Sequence, residues 1–97
     1  MKRASEKEAL TALQDIACWK RKDEKWIERR FKFQEFMEGI GFVDRIAEIA
    51  EDMEHHPFIS IQYKVVTLSL TSWNERGLTA LDFEAAFKYN QIYDTMK

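Results

Sequence analysis

The sequence predicts one α+β domain in which helices pack on one face of a four-stranded antiparallel sheet, in the order helix-strand-strand-helix-strand-strand-helix. Three observations predict it. The chain has 97 residues, enough for a single core and too few for a second, so one domain is expected over 1–97. Hydrophobic residues make up 45% and charged residues 33%, the balance of a chain that folds rather than one that stays disordered. The apolar period alternates along the chain between the 3.6 residues of a helix and the 2 of a strand.

Ser5 stands three residues before Glu8, the spacing of a capping box, and opens a first helix that should run to about Asp15 with Leu10, Leu13 and Ile16 facing inward. From Ala17 to Arg21 and again from Lys25 to Phe33, apolar and charged residues alternate. Ile27, Phe31 and Phe33 fall on one face and Glu28, Arg30 and Lys32 on the other, giving two strands turned at Lys22-Asp23-Glu24. Between Gln34 and His56, the residues Phe36, Met37, Ile40, Val43, Ile46, Ala47 and Ala50 recur every three or four positions and mark a long central helix. Gly39 and Gly41 each cost such a helix about 0.8 to 1 kcal/mol relative to alanine, so a closely packed neighbour is expected there. Pro57, the single proline, disfavours helical geometry at His56 and ends the helix. The β-branched and aromatic run from Phe58 to Trp73 supplies two more strands reversing near Lys64. After the loop 72–77, Thr79 and Asp82 repeat the cap signal, and Leu81, Ala85, Ala86, Tyr89 and Ile92 form the stripe of a closing helix.

Composition narrows the function. A formal charge of -2 argues against a direct nucleic-acid binder, because that affinity rests on accumulated lysine and arginine contacts. The cluster Lys20, Arg21, Lys22, Lys25, Arg29, Arg30 and Lys32 is interspersed with Asp23, Glu24 and Glu28, and reads as a solvated face. No window approaches the eighteen or so apolar residues of a membrane span, so a cytoplasmic protein without membrane association is expected. Cys18 is the sole cysteine, which excludes an intramolecular disulfide and is expected to be a buried, reduced thiol. The high aromatic share of so small a domain favours self-association.

The chemistry concentrates at His55 and His56, the only two histidines, adjacent at the end of the long helix. A helix C-terminus carries partial negative charge and Glu51 lies one turn back from His55, so both would stabilise an imidazolium. Histidine so placed is a competent general acid or base, although it also caps helix ends without any catalytic task. A metal site built from Glu51, His55 and His56 is disfavoured, since adjacent residues point in different directions and further ligands would have to be carboxylates such as Asp82.

Glu51, then His55-His56-Pro57, Tyr63, Trp73 and Asp82 stand at intervals that resemble the signature of the pterin-4a-carbinolamine dehydratases, also known as dimerisation cofactors of a homeodomain transcription factor. The resemblance covers nearly the whole chain, including a tryptophan-bearing first strand, a Phe-x-Phe second strand and a long helix ending in acidic residues. It implies a pocket between the end of the central helix, the fourth strand and the loop before the last helix, and an enzyme with neither metal nor organic cofactor. By the resemblance His55 is the main acid/base, His56 contacts the pterin and assists, Glu51 sets the charge and orientation of His55, and Asp82 hydrogen-bonds within the site. Pro57 belongs to the same substrate-binding motif, and Thr71 and Ser72 would offer backbone groups to the pterin edge. Trp73 stands where animal members carry a third histidine. Its indole can only donate a hydrogen bond, so it is assigned to binding rather than proton transfer. The resemblance also implies a pterin substrate in tetrahydropterin recycling, a homodimer or homotetramer, and a partner hydroxylase. The alternative is a non-catalytic binding module that acts as a dimerisation cofactor or assembly partner.

Overall fold

A computed structural model describes residues 2–97 and has the expected element order. Helix α1 spans Glu6–Gln14, strand β1 Lys20–Arg21, strand β2 Ile27–Lys32, helix α2 Phe36–Met53, strand β3 Phe58–Gln62, strand β4 Val65–Leu70 and helix α3 Ala80–Thr95, with a short 3-10 turn at Trp73–Glu75. All pairings are antiparallel and the sheet order is β1-β2-β4-β3. The capping box forms as read: the Ser5 N–H donates to Glu8 Oε1 at 2.8 Å and the Glu8 N–H to Ser5 Oγ at 3.1 Å.

Residues directly opposite in an antiparallel pair share a face. The register therefore puts Ile27 and Phe31 of β2 with Leu70 and Val66 of β4 on one face, where they are buried. α2 packs against both β4 and α3, and Phe42, Ile46, Ala85, Ala86 and Tyr89 complete the core on that face. Glu28, Arg30 and Lys32 occupy the opposite face with Ser69, Thr67 and Val65. Within the basic cluster, Arg21 pairs with Glu6 at 2.9 Å and Lys22 with Glu28 at 3.6 Å. Arg29 instead turns to the core side, where its guanidinium lies 4.3 Å over the Phe31 ring and donates to Asn90 Oδ1 at 2.6 Å.

Several local expectations change. β1 holds two residues rather than five, because the chain turns at Cys18 (φ 70°) to send Trp19 inward, where its indole donates to Asn90 Oδ1 at 2.8 Å. That turn leaves Cys18 exposed rather than buried. Leu10 is exposed and Ala9 takes the inward position of α1 with Ile16 beyond it. On α2 the buried line is Gly39, Phe42, Ile46 and Ala50. Phe36 and Met37 therefore face outward, against the apolar count. Gly39 finds the close neighbour its presence demanded: a Cβ there would lie 3.3 Å from Val66 Cγ2 and 3.5 Å from Phe33 Cδ2. Gly41 has nothing within 4 Å of that position, so packing does not explain it. No helix among the described residues is long and apolar enough to cross a membrane.

Candidate active site

α2 delivers the histidine pair through an unusual terminus. Its last turn closes on Glu54, which takes the left-handed conformation (φ 51°, ψ 41°) that glycine most often fills. The Glu54 N–H donates to the Glu51 carbonyl at 3.2 Å and the His55 N–H to the Ala50 carbonyl at 3.0 Å, so two otherwise free carbonyls are satisfied. A residue with a Cβ in this region costs about 1–3 kcal/mol. The reversal turns the chain off the helix axis at His55, two residues before Pro57 leads into β3.

α3 delivers the partner. Asp82 Oδ2 accepts the Thr79 N–H at 2.9 Å and Thr79 Oγ1 accepts the Leu81 N–H at 3.2 Å, the cap expected from their spacing. Fully buried, Asp82 has a second engagement: its Oδ1 lies 2.6 Å from Nε2 of His55, whose side chain is 11% exposed. The Ser72 hydroxyl donates its one proton to Asp82 Oδ2 at 2.8 Å, so the contact between Ser72 Oγ and Thr79 Oγ1, also 2.8 Å, has Thr79 as donor. Both carboxylate oxygens are thus held by donors from three different segments. An ionised carboxylate only accepts, so the His55 tautomer that fits this pairing carries its proton on Nε2 and keeps Nδ1 as the ring's acceptor.

Glu51 reaches His56 rather than His55, with Oε2 2.5 Å from Nε2. The i, i+4 relation that would join it to His55 holds only inside a helix, and α2 has ended at Met53. The two histidines therefore have separate carboxylates. His56 and Glu51 are 60% and 75% exposed, so their pairing is worth about 0–1 kcal/mol and serves mainly to orient the ring. Removing His55 would instead strand the buried Asp82 charge, at a cost of about 3–5 kcal/mol.

His55, His56, Ser72, Trp73 and Thr79 line one cleft of about 330 Å³, at the small end of the range for ligand sites. Trp73 forms an exposed wall. Pro57 is half-buried at the junction of α2 and β3, outside the cleft lining. Thr71 is also outside it, buried, with its hydroxyl donating to the Lys25 carbonyl at 2.5 Å. The backbone groups of Ser72 are taken by its own loop, since its N–H donates to the Gly77 carbonyl at 3.0 Å and its carbonyl accepts from Glu75 at 3.1 Å. Its hydroxyl is engaged with Asp82 and Thr79. The network of Ser72 and Thr79 hydroxyls around Asp82 escaped sequence reasoning, where Thr79 read only as a cap. Beside it, burial and then the Asp82 charge push the Tyr89 phenol above its usual range, which keeps it neutral. Among the described residues no group of three or more His, Cys, Asp or Glu is arranged to hold a metal.

Fold and cleft together define a small α+β protein in which a histidine paired with a buried carboxylate shares a cleft with an exposed tryptophan. A family model described as pterin 4 alpha carbinolamine dehydratase matches residues 2–92. A Picosynechococcus protein provisionally named pterin-4-alpha-carbinolamine dehydratase is 41% identical over 90 residues, covering 93% of this chain and 97% of its own. A Sulfolobus acidocaldarius protein of the same provisional name is 39% identical over 87 residues, covering 90% and 94%. Among solved structures, a transcriptional coactivator/pterin dehydratase from Brucella melitensis superposes with a TM-score of 0.91 at 34% identity, over 95% of this chain and 99% of that one. A pterin dehydratase-like protein identified as a RuBisCO assembly factor in the alpha-carboxysome shares the fold, with a TM-score of 0.68 at 19% identity over 78% and 89% of the two chains. The chain belongs to the pterin-4a-carbinolamine dehydratase family.

Proposed function

We propose that this protein converts 4a-hydroxytetrahydropterin to quinonoid dihydropterin and water by histidine acid/base catalysis, within tetrahydropterin recycling. The observation that carries this reading is His55 in the cleft, its Nε2 held 2.6 Å from a buried carboxylate. Losing hydroxide from carbon 4a needs one proton delivered to the departing oxygen and one removed from a ring nitrogen, so no net proton is consumed. His55 is the principal acid/base, its Nδ1 taking the ring-nitrogen proton. His56, exposed and oriented by Glu51, contacts the pterin and assists transfer to the departing oxygen, after which it exchanges protons with solvent. Asp82 never touches the substrate in this scheme, because it is fully buried; it positions His55 and compensates the imidazolium. Trp73 offers its face to the flat heterocycle, and Ser72 bounds the cleft while Thr71 and Pro57 hold the chain on either side.

The protein is further proposed to act in the cytoplasm as a homodimer or homotetramer, alongside a pterin-dependent hydroxylase. Self-association is supported by β3, an edge strand of the sheet that exposes Ile59 and Ile61. The competing reading is a non-catalytic binding module, which the RuBisCO assembly factor makes concrete as a relative of the same fold with another task. Generating 4a-hydroxytetrahydropterin with a pterin-dependent hydroxylase, and following its dehydration with wild type and His55→Ala, separates the two. The dehydratase reading expects acceleration by wild type that falls about 100-fold or more in the variant. Pterin binding with no acceleration by wild type would leave the binding module as the better account.

A further inference from the structure

Trp26, Phe58 and Trp73 come from three separate places in the sequence and meet at one end of the sheet. Trp26 precedes β2, Phe58 begins β3, and Trp73 opens the turn after β4. The register brings these strand ends level, with Ile27 opposite Leu70 and Phe58 opposite Ser69. Phe58 thereby shares the face of Ser69, away from the helices, whereas Ile59 and Ile61 lie with Leu68 and Val66 on the other side. The ring centroids are 5.0 Å apart for Trp26 and Phe58, 5.3 Å for Trp26 and Trp73, and 5.7 Å for Phe58 and Trp73, within the range of favourable aromatic contact. Asp23 Oδ1 anchors the group from below by accepting the N–H of Lys25 at 2.8 Å and of Trp26 at 3.0 Å.

This cluster is ordered and yet open: Phe58 is 58% and Trp73 63% exposed. Single exposed apolar residues are ordinary, but two exposed rings gathered with the half-buried Trp26 in one patch point to a ligand. Trp73 is common to the cluster and the histidine cleft, while Trp26 and Phe58 are not among the residues lining that cleft. They therefore lie beyond it, against whatever part of a ligand emerges past Trp73. A pterin with its reacting ring at His55 and His56 has one variable part, the substituent at carbon 6. Three rings without a charged group among them offer stacking to an aromatic substituent and little to a diol.

Resting on the reading of the cleft as a pterin site, we infer that Trp26, Phe58 and Trp73 form an aromatic shelf that seats an aromatic ring carried on carbon 6 of the substrate. Calorimetric titration of the intact protein with two non-reacting ligands, 6-phenylpterin and 6-methylpterin, tests it. Wild type should bind the phenyl compound about tenfold or more tightly than the methyl compound. Trp26→Ala and Phe58→Ala should each cut that preference about threefold to tenfold with 6-methylpterin affinity unchanged, and Trp26→Phe should retain it. Circular dichroism confirms folding of each variant. Equal affinity of wild type for both ligands, with dehydration intact, overturns the shelf and leaves the dehydratase standing. Binding of neither pterin overturns the reading of the cleft and the shelf with it. A preference that survives both alanine variants while their sedimentation mass falls overturns the shelf in favour of a contact between copies of the chain.

Discussion

Replacing Asp82 with Asn separates the positioning of His55 from the folding of the site. The amide oxygen can occupy the Oδ2 position and keep the bonds from Thr79 N–H and Ser72 Oγ, each below 3.0 Å. Its NH₂ group then replaces Oδ1, 2.6 Å from His55 Nε2, where two donors cannot face each other. The ring must present a lone pair at Nε2 and carry its proton on Nδ1, so Nδ1 can no longer accept a proton. Loss of a general base of this kind corresponds to about 10²–10⁴ in rate, or about 2.7–5.4 kcal/mol at 1.36 kcal/mol per decade. Stability should change far less, by about 1 kcal/mol, because the cap survives and only the charge at the helix N-terminus is lost. For a domain of this size that is about 4–8 °C in Tm. Dehydration of hydroxylase-generated substrate, measured at a temperature where circular dichroism shows Asp82→Asn fully folded, reads the first quantity without the second. A folded variant retaining the wild-type rate within twofold would refute the claim that Asp82 acts by fixing the His55 proton.

Gly41→Ala should raise stability by about 0.8–1 kcal/mol, since a helical glycine is replaced where no atom stands within 4 Å of the new methyl group. Gly39→Ala should gain less or lose, because Val66 Cγ2 is 3.3 Å away; thermal denaturation of the two variants compares them directly, and equal gains would show that α2 and β4 are not in limiting contact. The Ser5 backbone N–H, and after it the Ser5 side chain, hold the Glu8 carboxyl below its ordinary value of about 4.5. A lowered folded value means the folded chain binds fewer protons, so this contribution is complete above about 4.5 and is lost as pH falls through the lowered value. Acid titration followed by amide exchange in α1 should show its first turn loosening over that window in wild type, with little change in Glu8→Gln.

The element order, the Ser5–Glu8 and Thr79–Asp82 capping boxes and the position of the histidine pair were all legible, because each depends on groups three or four residues apart whose distances a helix sets by itself. Ser5 with Glu8 and Thr79 with Asp82 form as read for that reason. The same local logic failed where it was carried one residue too far: Glu51 was matched to His55 by helical spacing, but the left-handed turn at Glu54 passes it to His56. The apolar stripe of α2 was also misread by pattern, which counted Phe36 and Met37, whereas docking against β4 and α3 buries Phe42.

By itself, then, the sequence determined the layered α+β architecture, the family and the place of the histidine pair at the end of the central helix, through periodicity and closely spaced motifs. Tertiary structure decided the strand order β1-β2-β4-β3, the exposure of Cys18, and the joining of His55 to Asp82 across 27 positions of chain. It also gathered Trp26, Phe58 and Trp73 at one end of the sheet. The physical reason is separation along the chain. Local geometry determines contacts within a turn of helix, whereas a contact between distant segments exists only once the core has set how sheet and helices dock.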